Sequence, residues 1–157
     1  MTEAEIEQVR ESSVFPDQRI RLYTKFVDEH AARIKDLTSR PKSGQRVIKL
    51  DNAIQDLTSL MDELGSNLDM YSDRHSDIRK ALKSLTEATP RWIAILRALP
   101  GESGFDLARK EAIESSEELS DQTTRLLREQ EDYFATHKDE KGQEREDSAA
   151  EATQKPR

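Results

Sequence analysis

The sequence predicts an all-α fold: an elongated antiparallel helical bundle or coiled coil built on one long central helix. A heptad repeat of apolar residues runs through the central third of the chain, and glycines and prolines fall where helices would end. Residues spaced 3, 4, 3, 4 along a helix lie on one side of it, so this heptad stripe requires other helices that cover it. The a and d positions of the heptad stripe are Val47, Leu50, Ile54, Leu57, Met61, Leu64, Leu68, Tyr71, His75, Ile78, Leu82, Leu85, Thr89, Trp92, Leu96 and Leu99.

The composition limits both the core and the class of function. Charged residues make up 36% of the chain and apolar residues 34%, which suits narrow stripes on long helices better than a broad core. The net charge of −7 argues against a nucleic-acid partner, because phosphate contacts need a concentrated positive field. The chain has no cysteine, which excludes disulfides, thiolate metal sites and thiol catalysis.

The sequence carries no targeting or membrane-spanning pattern. Its first residues lack the basic and apolar regions of a signal peptide, and no apolar run approaches the length needed to span a bilayer. We therefore expect a soluble, cytoplasmic protein with no membrane partner.

Three segments follow from the residue pattern. Residues 1–15 form a short N-terminal helix and linker, residues 16–135 a helical bundle domain, and residues 136–157 a disordered charged tail. Thr2 and Glu5 match a capping box at the start of the first helix. A proline suits the first turn of a helix, so the second helix is predicted to begin at Pro16. Its stripe is Ile20, Tyr23, Val27, His30, Ile34 and Leu37.

The central helix is predicted to run from about residue 45 to about residue 99, with a kink at Pro90. Gly65, Ser66 and Asn67 interrupt its apolar character, but the heptad phase continues across them. A turn between antiparallel helices rarely preserves that phase, which favours one continuous helix. The alternative is an up-down four-helix bundle with a turn near Gly65. A last helix follows over residues 104–135 in either case.

The expected packing of the helices predicts that the chain associates with a second copy of itself or with a protein partner. A helix of this length is about 80 Å long. The helices before and after it are each about half as long, so they would lie end to end along it and bury little surface. A homodimer or a protein partner would thicken such a rod. The predicted contact residues are Leu64, Leu68, Tyr71, His75 and Ile78.

The sequence contains no recognisable catalytic or metal-binding motif. Glu-x-x-His pairs of the kind that hold di-metal sites in bundles are absent, as are Gly-x-Ser-x-Gly elbows and glycine-rich phosphate loops. We therefore expect no enzyme activity, no metal and no cofactor. The predicted function is a non-catalytic structural or protein-interaction module. The alternative is a monomeric four-helix bundle that binds a small ligand or metal through Tyr23, His30, Tyr71 and His75.

Overall fold

The computed structural model describes residues 1–11 and 15–137, and these residues form a bundle of α-helices. The helices in this part of the chain are α1 (Glu3–Glu11), α2 (Pro16–Thr38), α3 (Gly44–Asp73), α4 (Arg79–Arg97) and α5 (Asp106–Thr136). The all-α fold predicted from the sequence is confirmed. The predicted tail lies outside the described residues from residue 138 onward.

The predicted continuous helix over residues 45–99 is wrong. α3 ends at Asp73 and α4 begins at Arg79, so the chain turns within residues 74–78. The alternative turn near Gly65 is also misplaced, because Gly65 lies inside α3. α4 continues as one helix through Pro90.

α3 ends in a Schellman motif, in which two backbone N–H groups past the helix satisfy carbonyls of its last turn. The N–H of Ser76 donates to the carbonyl of Tyr71 at 2.9 Å, and the N–H of His75 donates to that of Ser72 at 3.0 Å. Glycine usually occupies the left-handed position of this motif. Here His75 occupies it with φ 57°, and therefore no glycine marks the end of α3 in the sequence.

Side chains from two other helices satisfy the start of α4, whose own N-cap residue, Ile78, provides no side-chain hydrogen bond. Asp17 at the start of α2 accepts a hydrogen bond from the backbone N–H of Ala81 at 3.0 Å. Gln130 of α5 accepts from the N–H of Ile78 at 3.0 Å and donates to the carbonyl of Ser76 at 2.6 Å. The turn is thus stabilised by tertiary contacts, which a local sequence pattern does not reveal.

The four long helices alternate in direction along the chain and pack around one core. α3 and α5 are adjacent and parallel, because Arg46 pairs with Glu102 at one end and Gly65 contacts Gln122 further along. α2 packs antiparallel to α3, and α4 packs antiparallel to α5.

α2 and α4 are likewise adjacent and parallel. Asp17 bonds to Ala81 near one end, and Asp28 accepts a hydrogen bond from the Trp92 indole at 2.6 Å further along. Within the described residues α3 does not contact α4, nor does α2 contact α5, so each of these pairs is diagonal. The bundle therefore has one face formed by α2 and α4, and an opposite face formed by α3 and α5.

α1 lies outside this four-helix arrangement and contacts α2 alone among the helices. The predicted capping box is present: Thr2 N–H donates to the Glu5 carboxylate at 2.7 Å, and Glu5 N–H donates to the Thr2 hydroxyl at 3.1 Å. The Glu5 carboxylate also meets His30 of α2 at 3.3 Å, and Val9 is buried. One polar side-chain contact and a small apolar contact thus hold α1 on the bundle.

Candidate interaction surfaces

The heptad stripe is covered by this chain's own helices. Of the predicted contact residues, Leu64, Leu68, Tyr71 and Ile78 are at most 3% exposed, and only His75 is exposed. Their contact with a partner stays a prediction. The packing reason for it does not apply to this conformation, because the compact bundle buries the stripe without a second chain.

The structure does not bring together the four residues of the predicted ligand site. Tyr71 accepts a hydrogen bond from Arg19, at 3.4 Å. Tyr23 forms a side-chain hydrogen bond with Glu63 on α3, and the positive charge of Arg19 acts to lower its pKa. His30 instead pairs with Glu5 of α1, and His75 lies in the α3–α4 turn. The two tyrosines share one polar network, while each histidine has separate surroundings.

The tyrosine network is a buried structural contact between α2 and α3. Tyr23 is 2% exposed, and its burial together with the nearby Glu63 carboxylate raises the pKa of its phenol to about 12. The phenol therefore remains a neutral hydrogen-bond donor to Glu63 throughout the physiological range. Such an arrangement fixes the register of α2 against α3.

The two faces of the bundle carry opposite charge. α3 has six acidic and two basic residues, and α5 has nine acidic and four basic residues. α4 has five basic residues and one acidic residue, and α2 has five basic and four acidic residues. The α3/α5 face is thus strongly acidic, and α2 and α4 together form a basic face, on which α1 adds four acidic residues and one basic residue beside α2. This separation arises from the packing, because the chain order alternates helices of opposite net charge.

A shallow groove runs between the two helices of the acidic face. Its central cavity, of about 320 Å³, is lined by carboxylates from both helices, among them Asp62, Asp69 and Glu118. Gly65 lets α5 approach closely, because a Cβ at that position would lie 3.0 Å from the Gln122 amide oxygen. The Gln122 amide nitrogen donates to the Gly65 carbonyl and to Asp69, both at 2.9 Å. The residue predicted as a possible turn is therefore a helix–helix contact.

The acidic face ends in a second cavity beside the α3–α4 turn, which we call the corner cavity. It has a volume of about 340 Å³. The ring of Tyr133 stacks on His75 with centroids 4.0 Å apart and, on its other side, on His137 at 4.1 Å. The lining residues are Ser72, Asp73, His75, Glu129, Gln130, Tyr133 and Phe134. Sequence analysis identified only His75 among them as a site residue.

The polar residue Gln130 was detectable in the sequence as an anomaly. It follows Leu126 and precedes Phe134 by four residues each, so it occupies the buried side of α5. It is 4% exposed, and a buried amide requires partners. That signal indicates a buried hydrogen bond, but it does not indicate which backbone groups take part.

In residues 1–11 and 15–137, no cluster of three or more His, Asp or Glu side chains is arranged to hold a metal ion. Within the same ranges, no helix combines the length and apolar character that crossing a bilayer requires. Comparisons with protein-family models, curated proteins and solved structures give no match.

Proposed function

We propose that this protein is a non-catalytic interaction module that binds a protein partner through its acidic α3/α5 face. The observation that carries the proposal is the charge separation between the two faces of the bundle. A partner with a basic surface would be attracted to the acidic face and oriented by the basic α2/α4 face behind it. Complementary potentials of this kind raise association rates and exclude wrong partners.

The burial of the heptad stripe supports a contact on the outer surface of the bundle. Residues such as Leu64 and Leu68 contribute to the chain's own core, so a partner that left this core intact would meet the charged outer faces. Two buried hydroxyls of α5 have a structural role. Ser116 and Thr123 donate to carbonyls of their own helix, at 2.8 and 2.7 Å.

Charge reversal tests this proposal. A synthetic helical peptide with Lys and Arg along one side serves as the probe, and its affinity is measured by fluorescence anisotropy at low and physiological salt. Reversal of two exposed acids of the α3/α5 face, Asp62→Lys with Glu118→Lys, is expected to weaken binding roughly tenfold or more. The affinity of the unmodified protein should fall as salt rises, because surface charges are screened.

A matched control separates the face from the net charge. Glu29→Lys with Glu87→Lys makes the same change of net charge on α2 and α4, where both residues are exposed. This variant is expected to bind the probe at least as well as the unmodified protein. Equal loss of affinity in both variants would show that only the net charge matters and would contradict a binding face.

A further inference from the structure

We propose that the corner cavity receives an arginine side chain of the basic partner. This inference rests on the proposed function, because it identifies the anchoring contact of the same acidic face. The cavity is large enough for a guanidinium group and part of its alkyl stem. Asp73 of α3 and Glu129 of α5 supply carboxylates to its lining, and Glu129 also pairs with Arg125 in an exposed contact at 3.5 Å. Because His75 and His137 cover the two faces of Tyr133, the aromatic ring offered to a guanidinium is the imidazole of His75.

Arginine fits this cavity better than lysine because of its shape. A guanidinium is planar, stacks on aromatic rings and donates in a fork to carboxylates, whereas an ammonium is a strongly hydrated point charge. The two carboxylates come from different helices, so both are in place only when α3 and α5 are packed side by side. The lining therefore combines the two kinds of partner that a guanidinium uses.

The same corner already holds one guanidinium of this chain in such an arrangement. Arg79 lies over the ring of Phe134, with its central carbon 4.8 Å from the ring centroid. It also donates to both carboxylate oxygens of Asp77, at 2.9 and 3.1 Å. Phe134 lines the corner cavity as well. An aromatic ring next to a carboxylate thus binds an arginine at this end of the bundle.

The wall of the cavity is fixed before any partner arrives. The Schellman motif holds the backbone of His75, and the Tyr133 ring lies between the imidazoles of His75 and His137. Gln130, another lining residue, is bonded to Ser76 and Ile78. Since these side chains are already ordered, an incoming arginine side chain would cost little conformational entropy on the protein side.

A titration of the full ¹⁵N-labelled chain with N-acetyl-arginine amide tests the inference. Saturable chemical-shift changes are expected at the amides that line the corner cavity, and N-acetyl-lysine amide should bind at least several-fold more weakly. Glu129→Gln removes one carboxylate charge from the lining and should weaken arginine binding several-fold. Glu87→Gln removes the same charge from α4, outside the acidic face, and should leave the affinity unchanged.

The arginine site and the acidic binding face can be refuted separately. If the shift changes spread along α3 and α5 without preference for the corner, or if Glu87→Gln weakens binding as much as Glu129→Gln, the arginine site is refuted. The acidic face would then remain supported by the charge-reversal experiment. If the basic peptide of that experiment does not bind the unmodified protein, the proposed function is refuted as well. Asp73→Asn provides a second lining variant should Glu129→Gln alter the fold.

Discussion

The side chain of Gln130 on α5 bonds to the backbone of Ile78, the N-cap residue of α4, and so joins the α3–α4 turn to α5. It accepts a hydrogen bond from the N–H of Ile78, 52 residues earlier in the chain, at 3.0 Å. Its amide nitrogen donates to the carbonyl of Ser76 at 2.6 Å. One residue of α5 therefore bonds to two backbone groups of the α3–α4 turn, and the position of this turn depends on α5 being packed against it.

Replacement of Gln130 by leucine is expected to destabilise the bundle by about 1–3 kcal/mol. The change leaves a buried N–H and a buried carbonyl without their partner, which costs more than the hydrogen bonds themselves contribute. Urea denaturation followed by circular dichroism gives the free energy of unfolding. Gln55→Leu is the control, because Gln55 is exposed and bonds only to Asp51. A similar loss of stability in both variants would contradict the role of Gln130.

The effect of replacing His75, which has the left-handed conformation, on the free energy of unfolding should depend on Tyr133. A non-glycine residue at φ 57° costs roughly 1 kcal/mol, and stacking on Tyr133 offsets a similar amount. His75→Gly alone should therefore change the free energy of unfolding little. In a Tyr133→Leu background the stacking is absent, and His75→Gly should stabilise the protein by about 1 kcal/mol.

The neighbouring residue provides the control for that cycle. Arg74 has ordinary helical dihedrals, with φ −85°, so Arg74→Gly should destabilise the protein in either background. If His75→Gly is destabilising in the Tyr133→Leu background, the strain attributed to His75 is absent.

Gly104 and Gly101, in the α4–α5 connection, should respond differently to alanine. A Cβ on Gly104 would lie 2.2 Å from a methyl carbon of Val47, whereas a Cβ on Gly101 would have no neighbour within 4 Å. Gly104→Ala forces the Val47 side chain out of its present rotamer or moves the connection away from α3, and is expected to destabilise the protein by about 1–3 kcal/mol. Gly101→Ala should be close to neutral. Thermal unfolding of the two variants measures the difference, and equal melting temperatures would contradict the contact.

The docking of α1 should be lost in acid. Burial by itself would raise the pKa of the Glu5 carboxyl, but the hydrogen bond from Thr2 N–H and the interaction with His30 outweigh it and lower the pKa. A lowered pKa in the folded state means that the carboxylate stabilises docking above the ordinary pKa of glutamate, and that this is lost as the pH falls through the folded value. Cα chemical shifts of residues 3–11 should therefore report loss of helix on acidification.

Glu5→Gln provides the comparison for this titration. The variant lacks the carboxylate charge at residue 5, so α1 should be less helical at neutral pH and should change little across the range in which the unmodified protein loses it. If both proteins lose α1 at the same pH, the docking does not depend on the Glu5 carboxylate.

The helices other than the central one were predicted closely, because their ends carry local signals. Pro16 marks the start of α2, and the capping box of Thr2 and Glu5 marks the start of α1. The break at residues 74–78 carries only a weak signal of this kind, since Asp77 accepts a hydrogen bond from the Arg79 N–H at 3.3 Å. His75 replaces the usual glycine, and the other side chains that satisfy the start of α4 are Asp17 and Gln130, far away in the sequence. The heptad phase continues across this break, which made a continuous helix the natural prediction.

The residues of the corner cavity were missed for a related reason. Ser72, Asp73 and His75 are separated by more than fifty residues from Glu129 and Tyr133, and only the parallel packing of α3 and α5 brings them together. Tyr133 also falls on the heptad pattern of its own helix, where an aromatic residue is typical of a core. No local spacing relates the two groups.

The sequence by itself determines that this protein is helical and which side of each helix is buried, because helical periodicity is a property of neighbouring residues. Only the tertiary structure decides where the central segment turns and which helices become neighbours. The turn depends on hydrogen bonds between distant residues, and the acidic and basic faces depend on the diagonal placement of α3 and α4. Charges that alternate along the chain are sorted onto opposite sides of the bundle because helices of like net charge pack next to each other.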